Sequence, residues 1–277
     1  MPAEADAAVG IFDSGLGGLS VLSHVRALLP LENLIYVADS AHAPYGGKPE
    51  AAVVERTLAI ADFLAARPCK ALVVACNTAT AAAVMAVRER HPWLPVVGVE
   101  PGLKPAALCS ASRVVGVLAT ERTLSSVRFQ ALAARLAAAT GVRFIGQACI
   151  GLADQVEKGE LRSATTAAMV GRYVEPLIRQ GADTLVLGCT HYPFLLPLIE
   201  QAALRAGGPG VRIIDTGEAV ARQLKRVLGE RVMATGTQAD ACSIQGWTTG
   251  SASALETALL TLLKIKAPVS VLTESRD

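Results

Sequence analysis

The sequence predicts an α/β fold with mainly parallel sheets, divided into two pseudo-symmetric domains. Short apolar runs rich in β-branched residues alternate with amphipathic segments of helical length along the chain. This alternation is typical of parallel strands joined by helices. The composition agrees, because 52% of the 277 residues are hydrophobic and only 4% are aromatic, as expected for helices covering a buried sheet. A short motif that occurs once in each half of the chain indicates two related units.

Eight apolar runs are predicted to form strands, four in each half of the chain. Those of the first half span 9–12, 34–37, 71–75 and 96–99, and those of the second half span 114–118, 144–147, 184–188 and 211–214. Segments with helical periodicity lie between or after them. These predicted helices span 50–66, 79–90, 123–139, 163–180, 194–206 and 217–228.

The repeated motif lies where an apolar run ends. VVACNT at 73–78 returns as VLGCTH at 186–191, and VGIFDS at 9–14 similarly resembles VGVLAT at 115–120. Successive βα units look alike in any α/β protein, but the recurrence of both a cysteine and its polar neighbours favours two related domains. Pro- and Gly-containing stretches at 101–105 and 206–210 are the expected boundaries. We therefore expect one domain at 1–100 plus 211–277 and the other at 101–210.

Charge, hydropathy and cysteine usage exclude several classes of partner. The net charge is only +2 and no basic stripe is present, so nucleic acid is not expected as the main ligand. The longest uncharged run, 71–87, is short for a membrane span and contains polar residues. The beginning of the sequence lacks a signal-peptide pattern. Six widely spaced cysteines without a CxxC pair favour a reduced, cytoplasmic protein.

Polar residues that could take part in binding or catalysis follow four of the predicted strands. In open α/β sheets, ligands bind outside the carboxyl ends of the strands. A helix that begins just after a cysteine directs backbone N–H groups at the sulfur, which favours the thiolate, and the same groups can hold a carboxylate. Two equivalent strand ends with one thiol each suggest a single active site at the domain interface, approached from opposite sides. The residues are Asp13, Ser14, Cys76, Asn77, Thr78, Thr120, Thr123, Cys189, Thr190 and His191.

Simpler roles compete with the functional interpretation. Free cysteine is often a small buried hydrophobe, and we prefer that interpretation for Cys69, Cys109, Cys149 and Cys242. Asp13 could serve only as a helix N-cap, although the glycine-rich turn that follows it favours a functional role. The chain lacks a phosphate-binding loop, a dinucleotide fingerprint, a GxSxG elbow and ligand spacing for a metal.

Several motifs, taken together, resemble those of one enzyme family. They are FDSGLGG at 12–18, AD at 38–39, PYG at 44–46, ACNTA at 75–79, GCTHYP at 188–193, ID at 214–215 and WTTG at 247–250. The chain resembles the glutamate racemases, cofactor-independent members of the aspartate/glutamate racemase superfamily, over nearly its whole length. The histidine in GCTHYP is the most specific feature, because aspartate racemases usually carry a glutamate there.

The resemblance implies a two-base mechanism on glutamate without pyridoxal phosphate or metal. It implies that Cys76 acts on D-glutamate, assisted by Asp13, and that Cys189 acts on L-glutamate, assisted by His191. Glu157 resembles a family glutamate that orients the histidine, although the preceding stretch 151–154 departs from the family pattern. The implied substrate-binding residues are Asp13, Ser14, Pro44, Tyr45, Gly46, Asn77, Thr78, Thr120, Thr123, Thr190 and His191.

The resemblance also implies a biological role and leaves alternatives open. The expected role is to supply D-glutamate for peptidoglycan in the bacterial cytoplasm, with a homodimer as one possible assembly. The nearest enzymatic rival is a relative acting on aspartate or another acid, against which His191 and the loop carrying Tyr45 argue. A non-catalytic binding protein would not need both thiols. A redox role would require the two cysteines to approach within bonding distance.

Overall fold

The structure, a computed structural model, describes residues 7–207, 210–232 and 243–273, except the side chains of 230–232. The chain divides into two compact units, residues 1–99 with 217–277 and residues 100–216. Cys242 lies outside the described residues. Across the described ranges, every helix is either too short or too polar to span a lipid bilayer.

Ten strands and eleven α-helices make up the described chain. The strands are β1 (Ala8–Asp13), β2 (Leu34–Ala38), β3 (Cys69–Val74), β4 (Val96–Gly98), β5 (Val114–Ala119), β6 (Arg143–Ala148), β7 (Thr184–Gly188), β8 (Arg212–Ile214), β9 (Ile244–Thr248) and β10 (Val269–Val271). The helices are α1 (Leu19–Leu28), α2 (Glu50–Ala65), α3 (Asn77–Arg90), α4 (Leu103–Cys109), α5 (Glu121–Ser125), α6 (Val127–Thr140), α7 (Leu152–Glu157), α8 (Ala164–Arg179), α9 (Leu196–Arg205), α10 (Gly217–Val232) and α11 (Ala252–Leu263).

The first unit is built on a six-stranded sheet in the order β10-β9-β2-β1-β3-β4, in which every pair of neighbours is parallel. Its central strands β1, β2 and β3 are buried along their whole length. Such strands read as continuous apolar runs because helices cover both faces of the sheet. This explains why hydrophobicity alone located them in the sequence.

The second unit contains a four-stranded parallel sheet in the order β6-β5-β7-β8. Successive side chains of a strand point to opposite faces, and β5 shows this clearly. Val115 and Val117 pack in a cluster with Leu103 of α4 and Phe129 of α6. Leu118 packs in a separate cluster that includes residues of α8 and α9. The sheet is therefore covered by helices on both faces.

The predicted α/β class with parallel sheets is confirmed, and so are the eight predicted strands to within two residues at their ends. Two predicted helices are wrong in detail. The helix expected over 123–139 is two helices, because Ser126 has extended backbone and caps α6 by accepting the N–H of Phe129. The helix expected over 194–206 begins at Leu196, after a 3-10 turn at Tyr192–Leu195. Strands β9 and β10 were not predicted.

One buried ion pair anchors the strand that leads to the first candidate cysteine. Lys70, near the start of β3, lies 2.5 Å from a carboxylate oxygen of Glu32, and both side chains are almost fully excluded from solvent. Removing one member of such a pair leaves an uncompensated charge in a medium of low polarity. The pair therefore makes β3 sensitive to a single substitution.

We predict that Lys70→Met lowers the free energy of unfolding by about 3–5 kcal/mol, measured by urea denaturation. The double variant Glu32→Leu/Lys70→Met should recover most of that loss, because it buries no unpaired charge. The matched control is Arg179→Met, which breaks an exposed pair with Glu175 and should cost at most about 1 kcal/mol. A single Lys70 variant as stable as the parent protein would contradict this interpretation.

Candidate active site

The carboxyl edge of the first sheet brings Asp13, Ser14 and Cys76 together. β1 and β3 are neighbours in the sheet, so the residues that follow them lie side by side. The Ser14 hydroxyl lies 3.6 Å from the Cys76 sulfur, and all three side chains are buried. The Asp13 carboxylate accepts the backbone N–H of Gly15 at 3.0 Å. A thiol, a hydroxyl and a carboxylate thus lie in one buried region of the unit.

The glycine-rich turn after β1 fixes the position of Asp13. A Cβ atom at Gly18 would lie 2.5 Å from the Asp13 Cβ atom and 2.9 Å from the Tyr36 hydroxyl. That hydroxyl in turn donates to the backbone carbonyl of Gly15 at 2.7 Å. Only glycine permits this approach at position 18. Asp13 is not the N-cap of α1, because Gly18 holds that position.

Cys76 lies at the N-cap of α3, as the sequence predicts. Its sulfur accepts the backbone N–H of Ala79 at 3.5 Å, so the positive end of the helix dipole faces the thiol. Thr78 is buried beside it. The side chain of Asn77 is also buried, and neither its amide nitrogen nor its amide oxygen has a hydrogen-bond partner among the described residues. An unpartnered buried amide can donate to and accept from a bound ligand.

The segment that contains Pro44, Tyr45 and Gly46 packs against the same unit. Tyr45 is buried in the cluster of side chains that also contains Cys76, whereas Pro44 is exposed and Gly46 is half-buried. The Tyr45 hydroxyl donates to Asp39 at 2.6 Å. Burial, together with the Asp39 carboxylate, raises the pKa of Tyr45 far above its usual range, so its phenol stays protonated near neutral pH.

In the second unit, Thr120 and Thr123 lie at the carboxyl end of β5. Thr120 caps α5, and its hydroxyl oxygen accepts the backbone N–H of Thr123 at 3.2 Å. The Thr120 hydroxyl donates to the Thr123 hydroxyl at 2.9 Å. β5 and β7 are neighbouring parallel strands, so these threonines and the residues after β7 share one edge of the second sheet.

A chain of three side chains follows β7. Cys189 comes directly after the strand, and its sulfur lies 3.4 Å from Nδ1 of His191. Nε2 of the same histidine lies 2.6 Å from the Glu157 carboxylate, at the end of α7. The cysteine and the histidine are buried, Thr190 between them is buried as well, and Glu157 is half-buried. A thiol, an imidazole and a carboxylate arranged in series are suited to proton transfer to and from the sulfur.

The charge state of His191 follows from its neighbours. Burial alone lowers the pKa of this histidine, but the adjacent Cys189 sulfur and the Glu157 carboxylate outweigh it and hold the pKa well above the usual 6.5. The imidazolium is therefore favoured at neutral pH. A cation at this position can stabilise negative charge that develops on the neighbouring sulfur during a reaction.

The two cysteines differ in how the chain continues after them. The sequence predicts a helix after each, but the second one is preceded by the 3-10 turn Tyr192–Leu195, with Pro193 in its first turn. Proline has no N–H to offer a sulfur. The Cys189 sulfur contacts the imidazole of His191, whereas the Cys76 sulfur lies at a helix N-terminus and near the Ser14 hydroxyl.

The other described cysteines show a different environment. Burial raises the pKa of Cys69 to about 11 and that of Cys149 to about 12, which favours the neutral thiol of a structural residue. Cys109 is half-buried. All five described cysteines are free thiols. Within the described ranges, no group of three or more His, Cys, Asp and Glu side chains is arranged to hold a metal ion.

Sequence reasoning gave no role to Asp39, although it lies next to the candidate site. This buried carboxylate accepts hydrogen bonds from Tyr45, Arg56 and Thr249. The signal available in the sequence is an acidic residue directly after a buried strand, within the motif AD at 38–39. The partners Arg56 and Thr249 are distant in sequence and could not be paired with it.

Comparisons with known proteins agree on a family. Residues 20–224 match the family model described as Asp/Glu/Hydantoin racemase. A glutamate racemase from Ectopseudomonas mendocina is 49% identical over 268 residues, which cover 97% of this chain and 99% of that protein.

Solved structures give the same result. The crystal structure of a glutamate racemase isoform from Bacillus anthracis has a TM-score of 0.86 at 32% identity and covers 98% of both chains. That of the Escherichia coli glutamate racemase, in complex with L-glutamate and the activator UDP-MurNAc-ala, has a TM-score of 0.80 at 31% identity, covering 96% of this chain and 98% of that one. Sequence and fold thus agree over nearly the whole chain, which belongs to the Asp/Glu/hydantoin racemase family.

Proposed function

We propose that this enzyme interconverts L-glutamate and D-glutamate by a two-base proton transfer at the α-carbon, with Cys76 and Cys189 as the two bases. The observation that carries the proposal is that each unit presents one buried thiol at the carboxyl end of a parallel strand, beside a polar partner that can assist it. The Escherichia coli relative, solved with L-glutamate, supports glutamate as the substrate.

In the proposed reaction, the Cys76 thiolate removes the α-proton of D-glutamate, and the electron pair of the broken C–H bond remains on the α-carbon. The Cys189 thiol then donates its proton to the opposite face of that carbon, which gives L-glutamate. Cys76 ends as a thiol and Cys189 as a thiolate, so the reverse reaction starts from this state. Neither pyridoxal phosphate nor a metal ion takes part in this scheme.

Different partners assist the two cysteines. We assign Asp13 to assist Cys76, because the backbone N–H of Gly15 holds its carboxylate and the next residue, Ser14, contacts the Cys76 sulfur. His191 assists Cys189, since an imidazolium 3.4 Å from the sulfur stabilises the thiolate that forms when the proton leaves. Glu157 orients His191 through the 2.6 Å contact to the second ring nitrogen.

The remaining polar groups hold the substrate in this proposal. Removing a proton next to a carboxylate creates an anion-like transition state, which needs preorganised hydrogen-bond donors. The unpartnered amide of Asn77 is one such group. One glutamate would be bound by residues of both units, which we propose act as two domains; the chain returns to the first of them after residue 216 and not after 210, because β8 pairs with β7 in the second sheet. The proposed set is Asp13, Ser14, Pro44, Tyr45, Gly46, Asn77, Thr78, Thr120, Thr123, Thr190 and His191.

We further propose that the enzyme works in the bacterial cytoplasm and supplies D-glutamate for peptidoglycan, as its resemblance to bacterial glutamate racemases implies. Assembly as a homodimer remains a prediction. Sedimentation of the purified protein would test it directly.

The decisive test is an assay of purified enzyme in deuterated water without added cofactor. We predict that either glutamate enantiomer is converted to the other and that the product carries deuterium at Cα, because each thiol exchanges its proton with solvent. Polarimetry follows the conversion and mass spectrometry follows the label. Aspartate serves as the comparator and should react far more slowly. Equal rates on aspartate and glutamate, or product that retains only protium, would overturn the proposal.

We predict that Cys76→Ser and Cys189→Ser each reduce racemisation to background in both directions, because a serine hydroxyl is a far weaker acid and base than a thiol at neutral pH. Far-UV circular dichroism should show an unchanged fold. The matched control is Cys109→Ser, a half-buried cysteine of the second unit, which should keep near-parent activity. Substantial turnover by either single catalytic-cysteine variant would contradict the two-base assignment.

We predict that Glu157→Gln lowers the pKa of His191, since a neutral amide stabilises the imidazolium less than a carboxylate does. An NMR titration of the histidine ring protons measures this shift. Racemisation should fall about tenfold or more, within the range that acid–base assistance contributes. Glu160→Gln, on the exposed segment after α7, is the control and should change neither quantity. An unchanged His191 titration would remove Glu157 from the proposed mechanism.

A further inference from the structure

The first unit contains a polar cluster, centred on a buried carboxylate near Cys76, whose members have no role in the proton transfer described above. We name it the Asp39 cluster, and it consists of Asp39, His42, Tyr45, Arg56 and Thr249. Asp39 is at its centre and is fully buried. We propose that Asp39 is a positioning residue that holds the substrate-binding segment 40–47 in place, with Arg56 and Thr249 as its supports. This inference rests on the proposed function, because it concerns the residues that would bind glutamate.

The contacts of the Asp39 carboxylate account for all its acceptor capacity. One oxygen accepts from the Tyr45 hydroxyl at 2.6 Å and from Nε of Arg56 at 3.0 Å. The other oxygen accepts from Nη2 of Arg56 at 2.9 Å and from the Thr249 hydroxyl at 2.9 Å, and it lies 3.0 Å from Nδ1 of His42. Bidentate arginine contacts are both strong and strongly directional. Asp39 is therefore fixed from several sides.

The charges around Asp39 favour the ionised form of its carboxylate. Burial raises the pKa of Asp39, but the hydrogen bonds from Arg56, Tyr45 and Thr249 and the positive charge of Arg56 outweigh this effect and lower the pKa overall. The ionised Asp39 carboxylate can only accept hydrogen bonds, which suits the donors Tyr45, Arg56 and Thr249 that surround it. An asparagine at this position would direct its NH2 group at donors on either side, so Asp39→Asn is not a conservative change.

The cluster ties the segment 40–47 to the sheet by two routes. The Tyr45 side chain reaches back to Asp39, directly after β2. Thr249, directly after β9, donates to Asp39 and accepts the backbone N–H of Ala41 at 3.1 Å. Both strands are paired in the sheet, with Ala38 opposite Thr248. The segment is thus held at its beginning by a threonine and near its end by a tyrosine.

Close packing around position 250 explains why the motif WTTG ends in glycine. A Cβ atom at this position would lie 3.0 Å from the Cβ atom of Ser40 and 3.5 Å from the backbone nitrogen of Ala41. The turn after β9 therefore packs closely against the start of the segment. The motifs AD, PYG and WTTG are far apart in the sequence, but their residues are neighbours in the folded first unit.

This geometry also defines what the Tyr45 hydroxyl does. The hydroxyl donates a hydrogen bond to Asp39 and stays protonated near neutral pH, so it anchors the segment and does not exchange protons with the substrate. The part of Tyr45 that would affect glutamate is its ring and the backbone around it. Disturbing the cluster should therefore change how the substrate is held and leave the chemistry at the two thiols largely intact.

The kinetic test compares Asp39→Asn and Thr249→Val with the parent enzyme on both enantiomers of glutamate. We predict that each variant raises KM about tenfold or more while kcat changes much less, the pattern expected when binding common to the ground and transition states is lost. Thr249→Ser keeps the hydroxyl and should restore KM to near the parent value. A general loss of structure would not be rescued in this way.

Asp62→Asn is the matched control. Asp62 lies on α2, the helix that carries Arg56, and it likewise binds an arginine through both oxygens and contacts a histidine, here Arg90 and His91. Its cluster makes no described hydrogen bond to the segment 40–47. Asp62→Asn should leave KM and kcat at parent values, which separates loss of this particular cluster from loss of any aspartate–arginine pair in the unit.

A second measurement does not depend on the identity of the substrate. Amide hydrogen exchange of the intact, ligand-free enzyme should show faster exchange at Ala41 and across 40–47 in Asp39→Asn and Thr249→Val, with parent-like exchange in Thr249→Ser and Asp62→Asn. If the parent enzyme fails to racemise glutamate, the proposed function is wrong and hydrogen exchange alone decides the positioning role.

Three outcomes would overturn the positioning role. The first is unchanged KM together with unchanged exchange in Asp39→Asn and Thr249→Val. The second is a fall in kcat at constant KM, which would place Asp39 in the chemistry itself. The third is a Thr249→Ser variant as impaired as Thr249→Val. If Asp39→Asn does not fold, Thr249→Val removes a single hydroxyl and carries the same test.

Discussion

The constraint on which the site depends is the parallel arrangement of the strands. In a parallel sheet the carboxyl ends of all strands lie at one edge, so polar residues at or just after the ends of adjacent strands become neighbours without any local sequence relationship. Asp13 and Cys76 meet in this way at the first sheet, and Thr120 and Cys189 follow neighbouring strands of the second. The buried apolar strands stabilise the units, and the residues just beyond their ends are free to carry chemistry.

Within this constraint, the two candidate cysteines are similar in placement and different in electrostatics. Cys76 receives a backbone N–H from the first turn of a helix and a nearby serine hydroxyl. The Cys189 sulfur contacts the imidazole of His191, which in turn contacts the Glu157 carboxylate. A fixed dipole cannot change its charge, whereas an imidazole can gain and lose a proton. The duplicated strand end thus supports two different ways of stabilising a thiolate.

Much of this could be predicted from the sequence because the information is local. Continuous apolar runs marked β1, β3, β5 and β7, and the cysteines stood directly after two of them. The prediction failed where the determining contacts are distant. β9 contains glutamine and glycine and has alternating burial, and β10 has only three residues, so neither forms an apolar run. The bond between Asp39 and Thr249 joins residues 210 positions apart and exists only because β9 pairs with β2.

The buried amide of Asn77 has a consequence for the protein as a whole. A polar group that is removed from water without a partner destabilises the folded state, typically by about 1–3 kcal/mol. A ligand that supplies the missing hydrogen bonds removes this penalty when it binds, and any ligand that binds only the folded state raises the free energy of unfolding as its concentration increases. If glutamate completes the hydrogen bonds of this amide, as proposed, substrate binding also raises the free energy of unfolding, so one side chain would contribute to both affinity and stability.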